Sequence, residues 1–554
     1  MKAWFKSGAP WIWLNAGAVA VCMIMVVGLI GLIAVRGFGH FWPADVAEVV
    51  ITDEKGNRSV VLGEVVRSQT IPAAVARDAG YYVPENRELV TRFLFKQGNR
   101  DQTGRDFAWY TEIGMAEFQY PENVFAIERR EWGNFYGYPV KLAQDGRTIN
   151  AEAPEFWQAV QASVDRSLAL HDDIKAIERR RIGRINSDME QLRLERRMLD
   201  LRNVEGLERD QVEARIDQRS SELDAEYQVL RTELDALYAS TRRDSLTLRM
   251  ADGNELDISF ATIVRVSQPN AMSVFGKLGQ YVVRLGEFMT DDPREANTEG
   301  GIFPAIFGTV TMVFVMSIIV TPFGIAAAIY LREYAKQGTM TRIIRISVYN
   351  LAGVPSIVYG VFGLGFFVYF LGGSIDRMFY EASLPAPTFG TPGLFWASLT
   401  LALLTLPIVI VSTEEGLARI PSTIRQGSLA LGATKAETLW KVIVPLATPA
   451  MMTGLILAIA RAAGEVAPLM LVGVVKLAPT LPIDGNFPFI HMERKIMHLG
   501  FHIYDVGFQS PNVEAARPLV YATALVLVLL IVVLNLTAIS IRNHLRERYR
   551  SASD

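Results

Sequence analysis

Two ionisable residues stand inside a long apolar run. Arg461 and Glu465 occur in MMTGLILAIARAAGEVAPLML, four positions apart, which on a helix places them on one face one turn apart. Charges within such a run are costly in hydrocarbon and belong against a protein interior or a water-filled path. An arginine donates two parallel hydrogen bonds from a planar fork, a geometry that suits an oxyanion. The functional reading is that Arg461 meets an anion in a pathway, with Glu465 as its resting partner. The alternative is a buried pair that only fixes helix packing. Gly454, Ala458 and Ala462 form a small-residue stripe where another helix can approach, and Pro468 breaks or kinks the segment. A second apolar stretch, NLAGVPSIVYGVFGLGFF, adds Asn350, Ser356 and Tyr359 as polar groups within a span.

The stretch RQGSLALGATKAETLWKVIVP (residues 425–445) lies between two apolar segments and is polar and helix-prone. Gly432 supplies the turn between two short helices, and Ala433 keeps that turn small. The second helix, 435–444, offers Leu439, Trp440 and Ile443 on one side, a pattern that suits a helix laid into another protein's groove. An ordinary amphipathic loop helix is the bland alternative. Elsewhere the chemistry is sparse. There is no GxxxxGK[ST] loop, so the chain is not expected to bind ATP. No His/Cys cluster has metal-ligand spacing, and no Ser-His-Asp or Cys-His arrangement stands out. Neither a metal nor another cofactor is expected. Glu414 and Glu415 sit at a span end, where packing is the simpler role.

The elements that must position these residues follow from composition. The 554 residues are 50% hydrophobic and 20% charged, with a mean hydropathy of +0.21, so the chain divides between membrane and water. A net charge of −3 gives no reason to expect nucleic acid. Cys22 is the single cysteine, so no intramolecular disulfide forms. Residues 11–35 are apolar enough to cross a bilayer of about 30 Å. Lys2 and Lys6 precede them and no small-residue cleavage pattern follows, which reads as an uncleaved signal anchor within residues 1–40. Five more spans are expected at about 302–331, 346–372, 393–413, 449–475 and 518–541, giving six.

Between the first and second spans, residues 41–300 form a soluble α+β insertion. β-rich parts are expected at 45–150, with a hairpin turning at Lys55-Gly56-Asn57, and at 245–266, with a hairpin turning at Asp252-Gly253. The aromatic-rich stretch from Phe107 to Tyr138 reads as core, with a carbohydrate platform as the alternative. Residues 153–243 are densely charged, with apolar residues at helical spacing either side of Asn203–Gly206. They read as two long helices paired in an antiparallel coiled coil, with a single intermolecular coil as runner-up. Arg179-Arg180-Arg181 reads as a solvated helix face, with a lipid or nucleic-acid patch as the alternative. QPNAMSVFGKLGQYVVRL reads as an interfacial helix leading back to the membrane.

Basic residues favour the loops holding Arg332, Lys336, Arg342 and Arg345, then Arg419, Arg425, Lys435 and Lys441, and the tail with Arg542, Arg546, Arg548 and Arg550. The loop near 374–392 has only Arg377, whereas the loop at 476–517 carries four basic residues and weakens the bias slightly. Both termini are therefore expected inside, with 41–300 outside the cytoplasm, the periplasm in a bacterium with two membranes. The membrane domain spans 301–545 with a cytoplasmic loop at 414–448, and 546–554 form a tail.

The frame Gln426-Gly427-Ser428, Gly432, then Val442, Val444 and Pro445 resembles the coupling loop of bacterial ABC-importer permeases, which begins Glu-Ala-Ala. Gln426 and Gly427 depart from the first two of those residues. GGIFPAIFGTV, NLAGVPSIVYGVFGLGFF, TEEGLARIP and RAAGEVAPL resemble the A-type permease subunit of phosphate-specific ABC importers (PstA-type), over the first span and residues 301–541. The resemblance implies a mainly α, multi-pass bacterial inner-membrane protein with the ABC-importer permease fold. It also implies a second permease subunit, two ATP-binding cassette subunits docked at the coupling loop, and a periplasmic phosphate-binding protein. ATP hydrolysis would belong to those partners. Another oxyanion, such as molybdate or sulfate, is the nearest rival substrate. An envelope sensor or tether working through the insertion is the rival from another class. A third reading has the insertion regulate docking of the binding protein, which deletion of about 153–243 would discriminate.

Overall fold

A computed structural model of the chain describes residues 7–52, 57–510 and 513–550. The turn residues Lys55 and Gly56, the leading Lys2 and Lys6, and 551–554 of the tail lie outside the described residues. The chain forms two compact units: residues up to His40 together with Ile302 onward, and Phe41–Gly301.

The first unit is helical. Among the described residues six helices are long and apolar enough to cross a membrane: Ala9–Gly39, Phe303–Tyr334, Ser356–Phe379, Leu394–Ala418, Lys435–Gly464 and Ala516–His544. A helix pairs its backbone groups within the segment, which hydrocarbon demands of a span. The fourth of these spans is the hub. A Cβ added at Gly324 of the second span would lie 2.6 Å from Val409 Cγ1. One at Gly416 would meet Ala450 Cβ at 2.3 Å, and one at Gly454 of the fifth span would meet Ser412 Cβ at 2.8 Å. Small residues therefore let the second, fourth and fifth spans close on one another. Met312, Met316, Leu401, Val409, Ala458 and Ala462 are buried in the core that results.

Two span boundaries differ from expectation. The third span does not start near 346. A separate helix, Thr339–Leu351, is followed by a break, and the span begins at Ser356 behind Pro355. Proline disfavours helical geometry in the residue before it, here Val354. Asn350 therefore sits near the end of the short helix and not within the span. The fifth span also does not run to 475. Its helix stops at Gly464, and Glu465 is extended, with φ −79 and ψ 136. A helix continued through Pro468 would drive the proline ring into the carbonyl of Gly464, four residues back. At its other end this span begins in the polar loop, at Lys435.

Among the described residues the second unit holds two larger antiparallel sheets and one two-stranded hairpin. Strands β1 (Val46–Thr52), β2 (Arg58–Pro72), β3 (Leu89–Lys96) and β4 (Phe107–Thr111) pair in that order. Next come β5 (Phe125–Arg129), β6 (Phe135–Gln144), β7 (Arg147–Asn150), β8 (Ser245–Arg249), β9 (Glu255–Ser259) and β10 (Ile263–Ser267). Their sheet runs β10-β5-β6-β8-β9, with β7 also on β6. Gly253, at φ +88, serves the turn from β8 to β9. Of the aromatic stretch, Phe125, Phe135 and Tyr136 are buried in the core and Tyr110, Phe118 and Tyr138 pack against it, whereas Tyr120 and Trp132 are exposed.

Between β7 and β8 the chain leaves as two long helices, Phe156–Leu201 with a widened turn at Ile177–Ile182, and Leu207–Thr241. They pack antiparallel around Ile177, Ile185, Leu223 and Leu230. Because β6 pairs with β8 and β5 with β10, the sheet closes across the root of this helical hairpin. Helix Val274–Thr290 follows, exposing Val274, Phe275, Leu278, Val282 and Val283.

A short hairpin ends this unit, β11 (Pro293–Arg294) paired with β12 (Glu299–Gly300). Its turn holds Glu295, Ala296 and Asn297 at φ +42, +52 and +73. Each such residue costs about 1–3 kcal/mol unless its surroundings impose the conformation. Here they do: Gly133 N–H donates to Glu295 Oε2 at 2.9 Å, Arg100 pairs with Glu295, and Arg294 pairs with Glu128. Glu299 and Asp106 both face Gly133. Burial pushes the Glu299 carboxyl up to about 7; Lys96 opposes this, and Glu128 and Glu295 add to it. The folded carboxyl thus keeps its proton to higher pH than the unfolded one. Stability falls as pH climbs from the ordinary carboxylate range through 7. Glu299→Gln is expected to raise the thermal midpoint of the insertion at about pH 8 and to leave it unchanged at about pH 4. Melting curves of the full-length chain at both pH values check this.

Candidate functional site

Arg461 occupies the last turn of the fifth span and Glu465 lies just past its end. Arg461 Nε stands 3.6 Å from Glu465 Oε1, with the side chains 34% and 20% exposed. That distance is an ion contact, too long for a hydrogen bond. Neither charge is sealed in the core. The guanidinium thus keeps donors to offer.

The segment after the helix end is held from two sides. A Cβ at Gly360 of the third span would lie 2.7 Å from Pro468 Cα, and one at Gly500 would lie 2.6 Å from Val466 Cγ2. Tyr359 is thereby brought to this segment, within electrostatic reach of Arg461. Its hydroxyl donates to Leu351 O at 2.7 Å and pins the break ahead of the third span. Ser356 is half-buried one turn earlier. Asn350 is exposed near the end of the preceding helix and is not part of this grouping.

Sequence reasoning missed two buried histidines behind this segment. His498 Nδ1 accepts from Gly500 N–H at 3.1 Å, and burial pushes its ring down to about 4. Burial does the same to His502, opposed by Asp505. Both rings are buried and neutral at neutral pH. Their spacing of four was the one available signal, and it does not distinguish packing from chemistry.

The polar loop is a second site. Helix Ser422–Ala430 ends at Gly432, whose φ of +90 only glycine adopts freely. Thr434 then caps the next helix: its hydroxyl accepts from Glu437 N–H, and the Glu437 carboxylate accepts in return from Thr434 N–H at 3.0 Å. Ser428 Oγ and Thr438 Oγ1, 2.9 Å apart, tie the two helices. Arg425 donates to Leu417 O and Ile420 O, each at 2.7 Å, and to Glu333 at 2.9 Å. Lys435 donates to Glu333 O at 2.6 Å. The loop is thus fastened to the end of the second span.

Leu439, Trp440 and Ile443 do not share one outward face. Leu439 and Ile443 are buried with Ile329, Leu417, Ala447 and Met451, and Trp440 alone points away, 63% exposed. Residues four apart on a helix share a face, and the next residue is turned aside by about 100°. Around the turn, Leu431 is 91% exposed, and Leu429, Gln426 and Gly427 are open to solvent, whereas Ala433 and Pro445 are half-buried. Glu414 pairs with Arg345 at 2.5 Å, the packing role expected of it.

Residues 320–551 match the family of binding-protein-dependent transport system inner membrane components. The chain is 34% identical over 245 residues to the phosphate transport system permease protein PstA 1 of Mycobacterium tuberculosis (strain CDC 1551 / Oshkosh), covering 44% of this chain and 71% of that protein. It is 31% identical over 251 residues to the phosphate transport system permease protein PstA of Yersinia pestis, covering 45% and 74%. A solved inward-facing methionine ABC transporter aligns with 44% of this chain and 94% of its own at 18% identity and TM-score 0.33, too distant to add to these matches.

The loop geometry yields a direct expectation. Thr434→Ala removes a helix cap worth about 1 kcal/mol, and Gly432→Ala forces a Cβ into left-handed backbone at about 1–2 kcal/mol. Each should speed amide hydrogen exchange several-fold across 428–438 while leaving the fifth span's 450–460 protected. Equal exchange in variant and wild type would contradict the assignment of the turn.

Proposed function

The chain belongs to the PstA-type family of ABC-importer permeases, and we propose that it forms half of the path by which inorganic phosphate crosses the bacterial inner membrane. A second permease subunit supplies the other half. Two ATP-binding cassette subunits engage the 425–445 loop and carry out ATP hydrolysis, and a periplasmic phosphate-binding protein delivers the anion. Both termini lie inside, and 41–300 lie outside with the helical pair 153–243 as an antiparallel coiled coil. The basic-residue bias and the seam at Ile177, Ile185, Leu223 and Leu230 support this arrangement.

One observation carries the mechanism: the second half of the loop and Arg461 sit on one continuous helical stretch, which widens to a π-helical turn at Leu439–Ile443. From Lys435 to Arg461 that helix extends about 39 Å. A helix is stiff along its axis, so displacement of the loop by the ATPases moves the segment around Arg461. Leu439 and Ile443 make the loop's own anchor, which leaves Leu431, Leu429 and Trp440, with Gln426, Gly427 and Ser428, as the surface offered to the ATPases. In alternating access, the Arg461 fork binds phosphate when the outer gate is open. Glu465 takes back the fork as the anion leaves, which limits retention. Tyr359 and Ser356 line the approach.

Arg461→Gln keeps the size of the side chain and removes its charge. Phosphate uptake by cells carrying this variant should fall about 100-fold, as befits a lost charge-assisted pair. Arg461→Lys should retain part of it, and both variants should assemble with the partner subunits. Radiolabelled uptake, together with co-purification of the complex, decides the matter. Wild-type uptake by an assembled Arg461→Gln complex would refute the role.

A further inference from the structure

The insertion contains a cationic cluster that its own carboxylates do not neutralise. Arg130 directly follows β5 and is fixed there by its N–H bond to Thr262 O, at 2.8 Å. Its guanidinium Nε and Nη2 are buried without a hydrogen-bond partner. Facing it is the first long helix of the hairpin, where His171, Lys175 and Arg179 recur at intervals of four on one side. The third wall is the β11–β12 hairpin, with Arg294, whose Nε is likewise buried and unpartnered. Arg130, Lys175, Arg179 and Arg294 all act on the His171 ring, and burial together with their charge brings it down to about 4.

Two of the carboxylates within reach, Asp292 and Glu128, are already committed. Asp292 serves both Arg179, at 2.7 Å, and Lys175, at 3.5 Å. Glu128 pairs with Arg294 and lies 3.5 Å from Arg265, with Arg284 also acting on it. Asp172 is exposed and reaches Arg130 only through its charge. A half-buried guanidinium with two buried, unpartnered nitrogens and another arginine acting on it is an expensive arrangement, and the remedy is an anion. Converging cations on a strand end, a helix face and a hairpin present donors from three directions. A planar carboxylate meets only some of them, whereas a tetrahedral oxyanion meets all.

We propose that Arg130, His171, Lys175, Arg179 and Arg294 form a second anion site, within the insertion, for a phosphate group carried by inorganic phosphate or by a lipid phosphomonoester. The bound group ties the root of the helical hairpin to the β11–β12 hairpin. It makes the order of those segments depend on phosphate. The site is separate from Arg461 and does not rest on the transport reading.

Hydrogen exchange on the full-length chain in nanodiscs tests this locally. In phosphatidylcholine discs, inorganic phosphate should protect 171–179 and 292–297 in wild type and in Arg461→Gln alike. Arg130→Gln should shift the phosphate concentration giving half protection by about tenfold or more. Arg179→Gln, at an exposed position, should give a smaller shift and serves if Arg130→Gln does not fold. Protection by phosphatidic acid in the disc, insensitive to inorganic phosphate and lost in the same variants, assigns the group to a lipid headgroup. No protection of these segments by either source, or equal protection in the variants, overturns the site.

Discussion

The membrane unit depends on close approach between three helices. At Gly324, Gly416 and Gly454 any side chain would collide with Val409, Ala450 or Ser412. Hydrocarbon offers no hydrophobic drive for helices to associate, so packing at these small residues does the work. It seats the fifth span against the fourth, and with it both the loop at one end and Arg461 at the other. The break at Gly464 then follows from Pro468, and it leaves Glu465 outside the helix but beside the guanidinium. A lever with a charged tip results from two residue types, glycine and proline, acting through sterics alone.

The loop end of that lever is held by a different force. Glu333 receives Arg425 through its carboxylate and Lys435 through its backbone carbonyl, so the two halves of the turn share one anchor on the second span. Motion of the turn must therefore involve the second and fifth spans together. The buried face at Leu439 and Ile443 adds an apolar grip. What remains exposed includes a small apolar tip of Leu429, Leu431 and Trp440.

Much of this was legible in the sequence. Apolar runs announce the six long helices because hydrocarbon demands length and hydrophobicity. Gly432 and Gly253 announce turns because positive φ excludes most other residues. The places where the reading failed share a cause. Hydropathy averages across Pro355 and so puts Asn350 inside a span, although the proline resets the backbone. Local spacing groups Trp440 with Leu439 and Ile443, although the face buried is chosen by Ile329 and Leu417, remote in sequence. The cationic cluster was invisible for the same reason: Arg130, the 171–179 face and Arg294 meet only through tertiary structure. Arg179 there pairs with Asp292 and Arg181 with Glu233, so part of the arginine run is engaged and not merely solvated.

The central claim is that this permease conducts phosphate under the control of ATP. The most direct measurement is uptake of radiolabelled phosphate into proteoliposomes that hold the wild-type chain with its partner permease, ATPase and binding-protein subunits, in excess sulfate and molybdate. The account predicts ATP-dependent uptake that neither competitor reduces. An assembled complex that hydrolyses ATP yet moves no phosphate, or one whose uptake sulfate or molybdate abolishes, would contradict it.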